Sequence, residues 1–335
     1  FAIDTDAHSK AHFGLMEYGV SQAKRGMCEK KHIVNTLPLN RFLKEIKKPV
    51  VVTFHTVLPA PPQALKEVVV KIAERVELIN VMTNTSKKLL LQVYGLPEEK
   101  IRIIPHGIHP LPYTDGKAAR ALLRFSGKRV LSTFGLLNKD KGIEYAIAAL
   151  PKIVAAHPNT IYLVIGATHP IVLKNAGEEY RNQLIKQAYQ LGVQNHVLFY
   201  NEYLETGELL KFLQATEIYL SLSQNPDQAV SGTLIYALGA GRPVVSTPFA
   251  QAKEIITPEL GSLVKFSDSE SLAREVIALL GDQERSANMS KTAYFRTRGM
   301  TWPNVSLSYM REFIELSPEL AKKENLEVVD LLVEK

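Results

Sequence analysis

The sequence predicts an α/β protein with two Rossmann-like, doubly wound parallel-sheet domains, the first of them incomplete. Three observations lead there. Short β-branched runs alternate with amphipathic helical stretches, the signature of βα units. A turn-rich segment at 105–116, with three prolines and two glycines in twelve residues, splits the alternation into two series. The length, 335 residues, exceeds one ordinary core and suits two domains.

The first series predicts strands at 50–54, 78–82 and 101–104, with helices at 63–75 and 86–94. Ser86 is the expected N-cap of the second helix, and Gly95 with Pro97 its stop. A complete doubly wound domain has about five or six strands, so the three here leave the first domain short. Residues 1–48 read poorly as βα units. The second series predicts strands at 130–134, 161–165, 197–200, 218–222, 243–246 and 262–266. Its helices are expected to begin near Gly142, Glu178, Thr206, Gly232, Gln251 and Ser267. Ile143, Ile147, Leu150 and Val154 share one helical face. Ser267 with Glu270 fits a capping box. The tail after Leu316 is charged and reads as a surface helix or a frayed end. The expected domain limits are 1–112, 113–298 and 299–335.

Composition narrows the function classes. Apolar residues make 46% and charged residues 22%, which argues against a disordered chain. No apolar run approaches the roughly 20 residues of a membrane span. Phe1-Ala-Ile-Asp-Thr-Asp6 carries acids where a signal peptide has a basic region. Cys28 is alone, so no intrachain disulfide or zinc-binding cysteine cluster is expected, and a cytoplasmic setting is the default. The net charge is +6, with basic clusters at Lys24, Arg25, Lys30 and Lys31, then Lys44, Lys47 and Lys48, then Lys87 and Lys88. They suit a solvated surface, and also phosphates or weak contact with an anionic membrane face. Basic residues are not interleaved with aromatics as in a nucleic-acid reader.

Three constellations carry candidate chemistry. Thr133-Phe-Gly135 runs from a strand into a loop with Lys139 and Lys141 at a helix start. Ligands of open parallel sheets sit at the carboxyl ends of strands, where Gly135 admits close approach and Lys141 can neutralise a diphosphate. An exposed lysine in a surface turn has the same spacing. The second constellation is Asn225 to Val245. Ser231, Gly232, Thr233 and Leu234 open a helix whose free N–H groups favour an anion, with Asp227 and Gln228 just before it. An ordinary Ser-capped helix reads the same way. In the third, Thr53-Phe-His55-Thr56, His55 stands at a strand end, either touching a transferred group or capping a loop. Thr168 and His169 follow a further strand much as His55 does, and Asn201, after another, could touch a base or ribose; each stretch also reads as a plain loop.

In this order the motifs resemble glycosyltransferase family 4, retaining enzymes of the GT-B fold. The likeness runs from about Val50 to Phe313. It comprises His55 after a strand, Ile103-Ile-Pro-His-Gly-Ile108 at the hinge, and Gly135 with Lys141-Gly142. Ser231-Gly232 leading into Ala237-Leu-Gly-Ala-Gly-Arg-Pro-Val-Val-Ser-Thr247, then Glu254-Ile-Ile256 and Met300-Thr-Trp302-Pro303, complete it. The resemblance implies transfer of a hexose from a nucleotide-sugar to a hydroxyl acceptor with retention. The donor would sit in the second domain, its diphosphate on Lys141 and the Ser231–Leu234 backbone. His55, Gln228 and Lys141 would act at the reacting centre. No metal or other cofactor is implied, and a late helix would cross back to the first domain. The sequence departs from the family at three places. Gln228 and Tyr236 replace a glutamate pair that contacts donor sugar and ribose, Leu136 replaces an arginine, and the acceptor-side glycine-rich loop is not recognisable. These departures keep a second reading open, a catalytically degenerate sugar- or nucleotide-binding module. A third reading is a phosphorylase of the same fold with Lys139 and Lys141 on phosphate.

Overall fold

The computed structural model describes residues 49–318. Cys28, Asp4, Asp6, the basic residues of 24–48 and the tail beyond 318 lie outside them. The first sheet has strands β1 (Val51–Phe54), β2 (Leu78–Val81) and β3 (Ile101–Ile103), all parallel, in the order β1-β2-β3. Helices α1 (Gln63–Ala73) and α2 (Asn84–Gln92) connect them. Ile79, Val81 and Leu90 are wholly buried in this domain's core. Burying each such side chain contributes about 1.5–3 kcal/mol.

The second domain begins with α3 (Lys117–Leu122) and β4 (Arg129–Phe134). Then come α4 (Ile143–Ala156), β5 (Thr160–Ile165), α5 (Pro170–Ala176), α6 (Glu179–Gln190) and β6 (Val197–Tyr200). The chain continues through α7 (Thr206–Ala215), β7 (Ile218–Ser221), α8 (Gly232–Gly239), β8 (Val244–Ser246), α9 (Ala250–Ile255) and β9 (Gly261–Leu263). Two helices close it, α10 (Ser269–Gly281) and α11 (Gln283–Arg296). The six strands are parallel, ordered β6-β5-β4-β7-β8-β9. The order reverses between β4 and β7, and such a switch point is where open α/β sheets bind ligands. One apolar cluster, with Ile147, Leu150 and Val276, fills one side of the sheet. Another, with Leu163, Leu234 and Phe249, fills the other. Among the described residues no helix is long and apolar enough to cross a membrane.

A last helix, α12 (Trp302–Leu316), returns to the first domain. The Glu312 carboxylate accepts from Asn80 Nδ2 at 2.8 Å, and Tyr309 Oη lies 3.2 Å from Thr53 Oγ1. Burial raises the Glu312 pKa above its ordinary value, opposed by the Asn80 hydrogen bond. The turn-rich 105–116 segment is pinned rather than loose. Ile108 N donates to Met300 O and Trp302 N to Ile108 O, each at 2.8 Å.

Several local expectations are corrected. Thr83, not Ser86, caps α2; it is extended, and its Oγ1 accepts from Ser86 N at 3.1 Å. Ser86 is buried inside the first turn. Asp268, not Ser267, caps α10, accepting from Ser271 N at 2.9 Å. Ser267 has a left-handed φ of 55° and donates instead to Gln224. Ile153 is buried on α4 where Val154 was expected, because the face drifts with the 3.6-residue period. The last strand ends at Leu263, short of 266. Helices α3, α5 and α11 escape the apolar pattern; α3 and α5 bury no residue and α11 only three.

Candidate functional site

The carboxyl ends of β4 and β7 flank the switch point, and the first two constellations meet there. Gly135 leaves β4 with φ 122°, and a Cβ placed on it would lie 3.3 Å from Lys141 Nζ and 3.4 Å from Thr233 Cγ2. Lys141 therefore reaches back across the loop to the start of α8. The two loops are tied by Gln224 N donating to Asp140 O at 2.8 Å. Lys141 has no ion-pair partner within 4 Å among the described residues. Burial pushes its pKa below the usual lysine value, and Asp140 offsets part of that. An enclosed ammonium without a carboxylate is poised to take an anion.

The start of α8 supplies donors. Ser231 caps the helix, accepting from Leu234 N at 3.3 Å. Its own N–H goes to the buried Gln251 side chain. The Gly232 and Thr233 N–H groups have no acceptor among the described residues and stand at the Lys141 end of the helix. Tyr219 steadies this corner from β7. Its hydroxyl accepts from Phe134 N at 3.4 Å and bonds Thr233, while burial drives its pKa up to about 12.

His106, which the sequence reading did not single out, covers the same helix start. A Cβ on Gly232 would lie 2.8 Å from His106 Nε2. The ring packs between Tyr236 and Trp302, with centroids 5.6 and 5.7 Å away. Nδ1 lies 2.8 Å from Gly107 O; donating there leaves Nε2 as the lone-pair nitrogen of the neutral ring. Burial lowers its pKa, the Gly107 bond opposes this, and His55 lowers it further. His55 itself is exposed, just beyond the carboxyl end of β1. The only advance signal was His106's place in the hinge motif.

The remaining expected residues divide. Gln228 is half-buried and its Nε2 donates to Val230 O at 3.1 Å. Asp227 is exposed beside it. Tyr236 is packed between His106 and His109 and stacked on Phe134, with its hydroxyl 3.4 Å from His109 Nε2. Lys139 does not join the cluster. It is exposed and lines a separate cavity of about 320 Å³ with Asn138, Asp140 and Tyr180, because the helical turn 139–141 sends successive side chains apart. Thr168 is buried and its hydroxyl is bonded to Glu178. Glu178 also binds Arg181 Nε at 3.1 Å and Asn201, and its carboxyl lies below the ordinary range, chiefly through Thr168. His169 caps α5, accepting from Ile171 N at 3.3 Å. Arg181, unforeseen, is buried there with Nη1 unpartnered.

Gly166 holds the two strand ends together. A Cβ there, at φ 137°, would lie 2.2 Å from Gly135 O. Gly166→Ala is therefore expected to displace the Gly135 loop and to cost about 2–3 kcal/mol of stability, read from the shift of the denaturant midpoint.

A model of the family described as "Glycosyl transferases group 1" matches residues 116–296, more than half of the chain. The chain belongs to this family. A "Glycosyltransferase Family 4" model also matches residues 32–110. Gly135, Lys141 and the α8 start fall inside the group 1 match, and His55 and His106 inside the second. An uncharacterized glycosyltransferase of Methanocaldococcus jannaschii is 26% identical, over 67% of this chain and 56% of that protein. A phosphatidyl-myo-inositol mannosyltransferase of Mycolicibacterium smegmatis is 24% identical, over 64% and 52%. The chain thus spans about half the length of these curated relatives. Anabaena HepE, solved in complex with UDP, superposes with a TM-score of 0.68 at 20% identity, over 80% of this chain and 72% of that one. Sucrose-phosphate synthase from Thermosynechococcus elongatus gives 0.67 at 18%, over 82% and 70%. These structures share the two-domain GT-B fold of this chain. Gln228, Tyr236 and Leu136, at which the resemblance expects two glutamates and an arginine, are each half-buried.

Proposed function

We propose that this chain transfers a hexose from a nucleotide-diphosphate sugar to a hydroxyl acceptor, a glycan or a smaller molecule, with retention of configuration. The observation that carries this reading is Lys141 Nζ set against Gly135 and Thr233 at the switch point, without a carboxylate partner among the described residues. The diphosphate would lie on Lys141 and the Gly232 and Thr233 amides. As the bond from the sugar's anomeric carbon to the diphosphate oxygen breaks, these groups stabilise the charge on the departing oxygen. The acceptor oxygen bonds the same face, and its proton passes to the leaving oxygen. His55 would orient the sugar beside His106, and Gln228 Oε1 would accept from a sugar hydroxyl. Thr168, His169 and Asn201 would border the nucleoside, with Thr168 acting through its backbone because its hydroxyl is engaged. No metal or cofactor enters this scheme. The complexes of HepE with UDP and UDP-glucose support a nucleotide-sugar donor, with uridine as the first base to try.

A second reading, a donor-binding module without turnover, is favoured by Tyr236. Its ring is packed and its hydroxyl engaged where the family places a carboxylate. Calorimetry across UDP, GDP and ADP sugars separates the two. Saturable binding of one donor, weakened in Gln228→Ala, with slow donor hydrolysis, is the expected result. Binding without hydrolysis or transfer would establish the module, and no binding by folded protein would sink both.

A further inference from the structure

A larger cavity, about 600 Å³, opens at the opposite edge of the six-stranded sheet. Arg129, Glu217 and Pro243 line it, and they stand at the amino ends of β4, β7 and β8. The site at Gly135 lies at the carboxyl ends, so the six residues of β4, about 20 Å, separate the two.

Five basic side chains line this cavity, Lys117, Arg120, Lys128, Arg129 and Arg242, against two acids, Asp115 and Glu217. Both acids already have partners. Glu217 accepts from Arg129 Nε at 2.7 Å, and Asp115 lies 3.4 Å from the Lys117 ammonium. Arg120, Lys128 and Arg242 have no carboxylate within 4 Å among the described residues. Arg242 is only 3% exposed. Four of its N–H groups go to uncharged carbonyls, those of Ala240, Gln214, Thr216 and Thr114. The fifth N–H of the guanidinium remains. Arg120 likewise uses the carbonyls of Ala215 and Asp115. The two guanidinium groups flank Gly116: a Cβ there would lie 2.8 Å from Arg120 Nη1 and 3.4 Å from Arg242 Nη1.

Two cations this close, one of them buried, repel each other in a medium that screens poorly. Burial foremost, with Arg120 adding to it against Tyr113, Asp115 and Glu217, brings the Arg242 pKa down to about 10. An anion in the cavity, within reach of both, relieves both the repulsion and the loss of hydration. Arg120 keeps three N–H groups and Arg242 one, and charged donors of this kind suit phosphate oxygens. The volume falls within the range of small-ligand pockets, with room beyond a phosphate for a polyhydroxylated body. Ser286 and Ser290 of α11 supply hydroxyls on that side.

We propose that this cavity binds a phosphate monoester of a polyhydroxylated molecule, with the phosphate held by Arg120, Arg242 and Lys128. The same chemistry is offered by a soluble sugar phosphate and by a phosphoinositide headgroup. The test is calorimetry of the full chain with glucose 6-phosphate, beside co-sedimentation with phosphatidylcholine vesicles with and without a phosphoinositide. Saturable binding of one probe is expected, weakened about tenfold in Arg120→Gln and in Lys128→Gln, and unchanged in Lys141→Ala. Lys128 is exposed, so its variant keeps the test open if Arg120→Gln unfolds. No saturable binding of either probe, or binding untouched by both cavity variants, overturns the proposal. So does binding that Lys141→Ala abolishes, because the phosphate would then sit in the donor site.

Discussion

Lys141→Ala is expected to lower donor affinity and kcat/KM by at least about a hundredfold while the melting temperature holds or rises. The two effects have one cause. The ammonium is enclosed, has no carboxylate within 4 Å among the described residues, and sits against Gly135 and Thr233. A charge-assisted contact to a diphosphate contributes about 1.5–3 kcal/mol, and stabilising charge on the departing group adds to it. Without ligand the same charge is a burden on the fold, since burying a cation costs hydration that Asp140 only partly replaces. The pH dependence has the same origin. The folded pKa is depressed, so between it and the ordinary lysine value the unfolded chain binds more protons, and stability rises with pH through that window. Donor affinity falls through the same window as the ammonium deprotonates. Calorimetry at stepped alkaline pH, beside thermal melts, reads both. An affinity unchanged by Lys141→Ala, in a protein that still binds donor, would remove Lys141 from the site.

Glu254→Ala should uncouple the two domains. Glu254, on α9 of the second domain, accepts four hydrogen bonds from the start of α2 in the first. Asn84 N and Thr85 N donate at 2.8 Å each, Thr85 Oγ1 at 2.8 Å and Asn84 Nδ2 at 3.0 Å. Thr83 takes Ser86 N, so the carboxylate completes the cap of that helix from across the cleft, at the end where the dipole favours negative charge. Burial opposes ionisation, but the Thr85 and Asn84 donors outweigh it and hold the Glu254 pKa below its ordinary value. Discounted for partial exposure, the loss is about 2–3 kcal/mol. Its signature is a single calorimetric transition splitting in two, with faster hydrogen exchange at Asn84 and Thr85. The clamp's stability is fully present above the ordinary glutamate pKa and is lost as pH falls through the lower, folded value. A single unshifted transition in the variant would show that other contacts hold the domains.

The βα alternation and the six strands of the second domain are legible along the chain, because buried parallel strands must be β-branched runs between amphipathic helices. So are the strand-end positions of Gly135, Lys141 and Ser231–Thr233, since glycines, caps and turns mark those ends locally. The order of the strands is not. Lys141 meets the helix that begins at Gly232 only because the sheet reverses direction between β4 and β7, and no local pattern spans that separation.

Packing settled what remained. It set His106 over Gly232, sent Lys139 away from Lys141, and committed the Thr168 hydroxyl to Glu178. It also joined Glu254 to α2 and gathered Arg120, Lys128 and Arg242 around one cavity. The difference is one of range. Propensity, capping and periodicity act over a few neighbouring residues, and so they can be read from the order of amino acids. A charge is enclosed, a hydroxyl engaged or a carboxylate shared only when distant segments come together, and that depends on the fold as a whole.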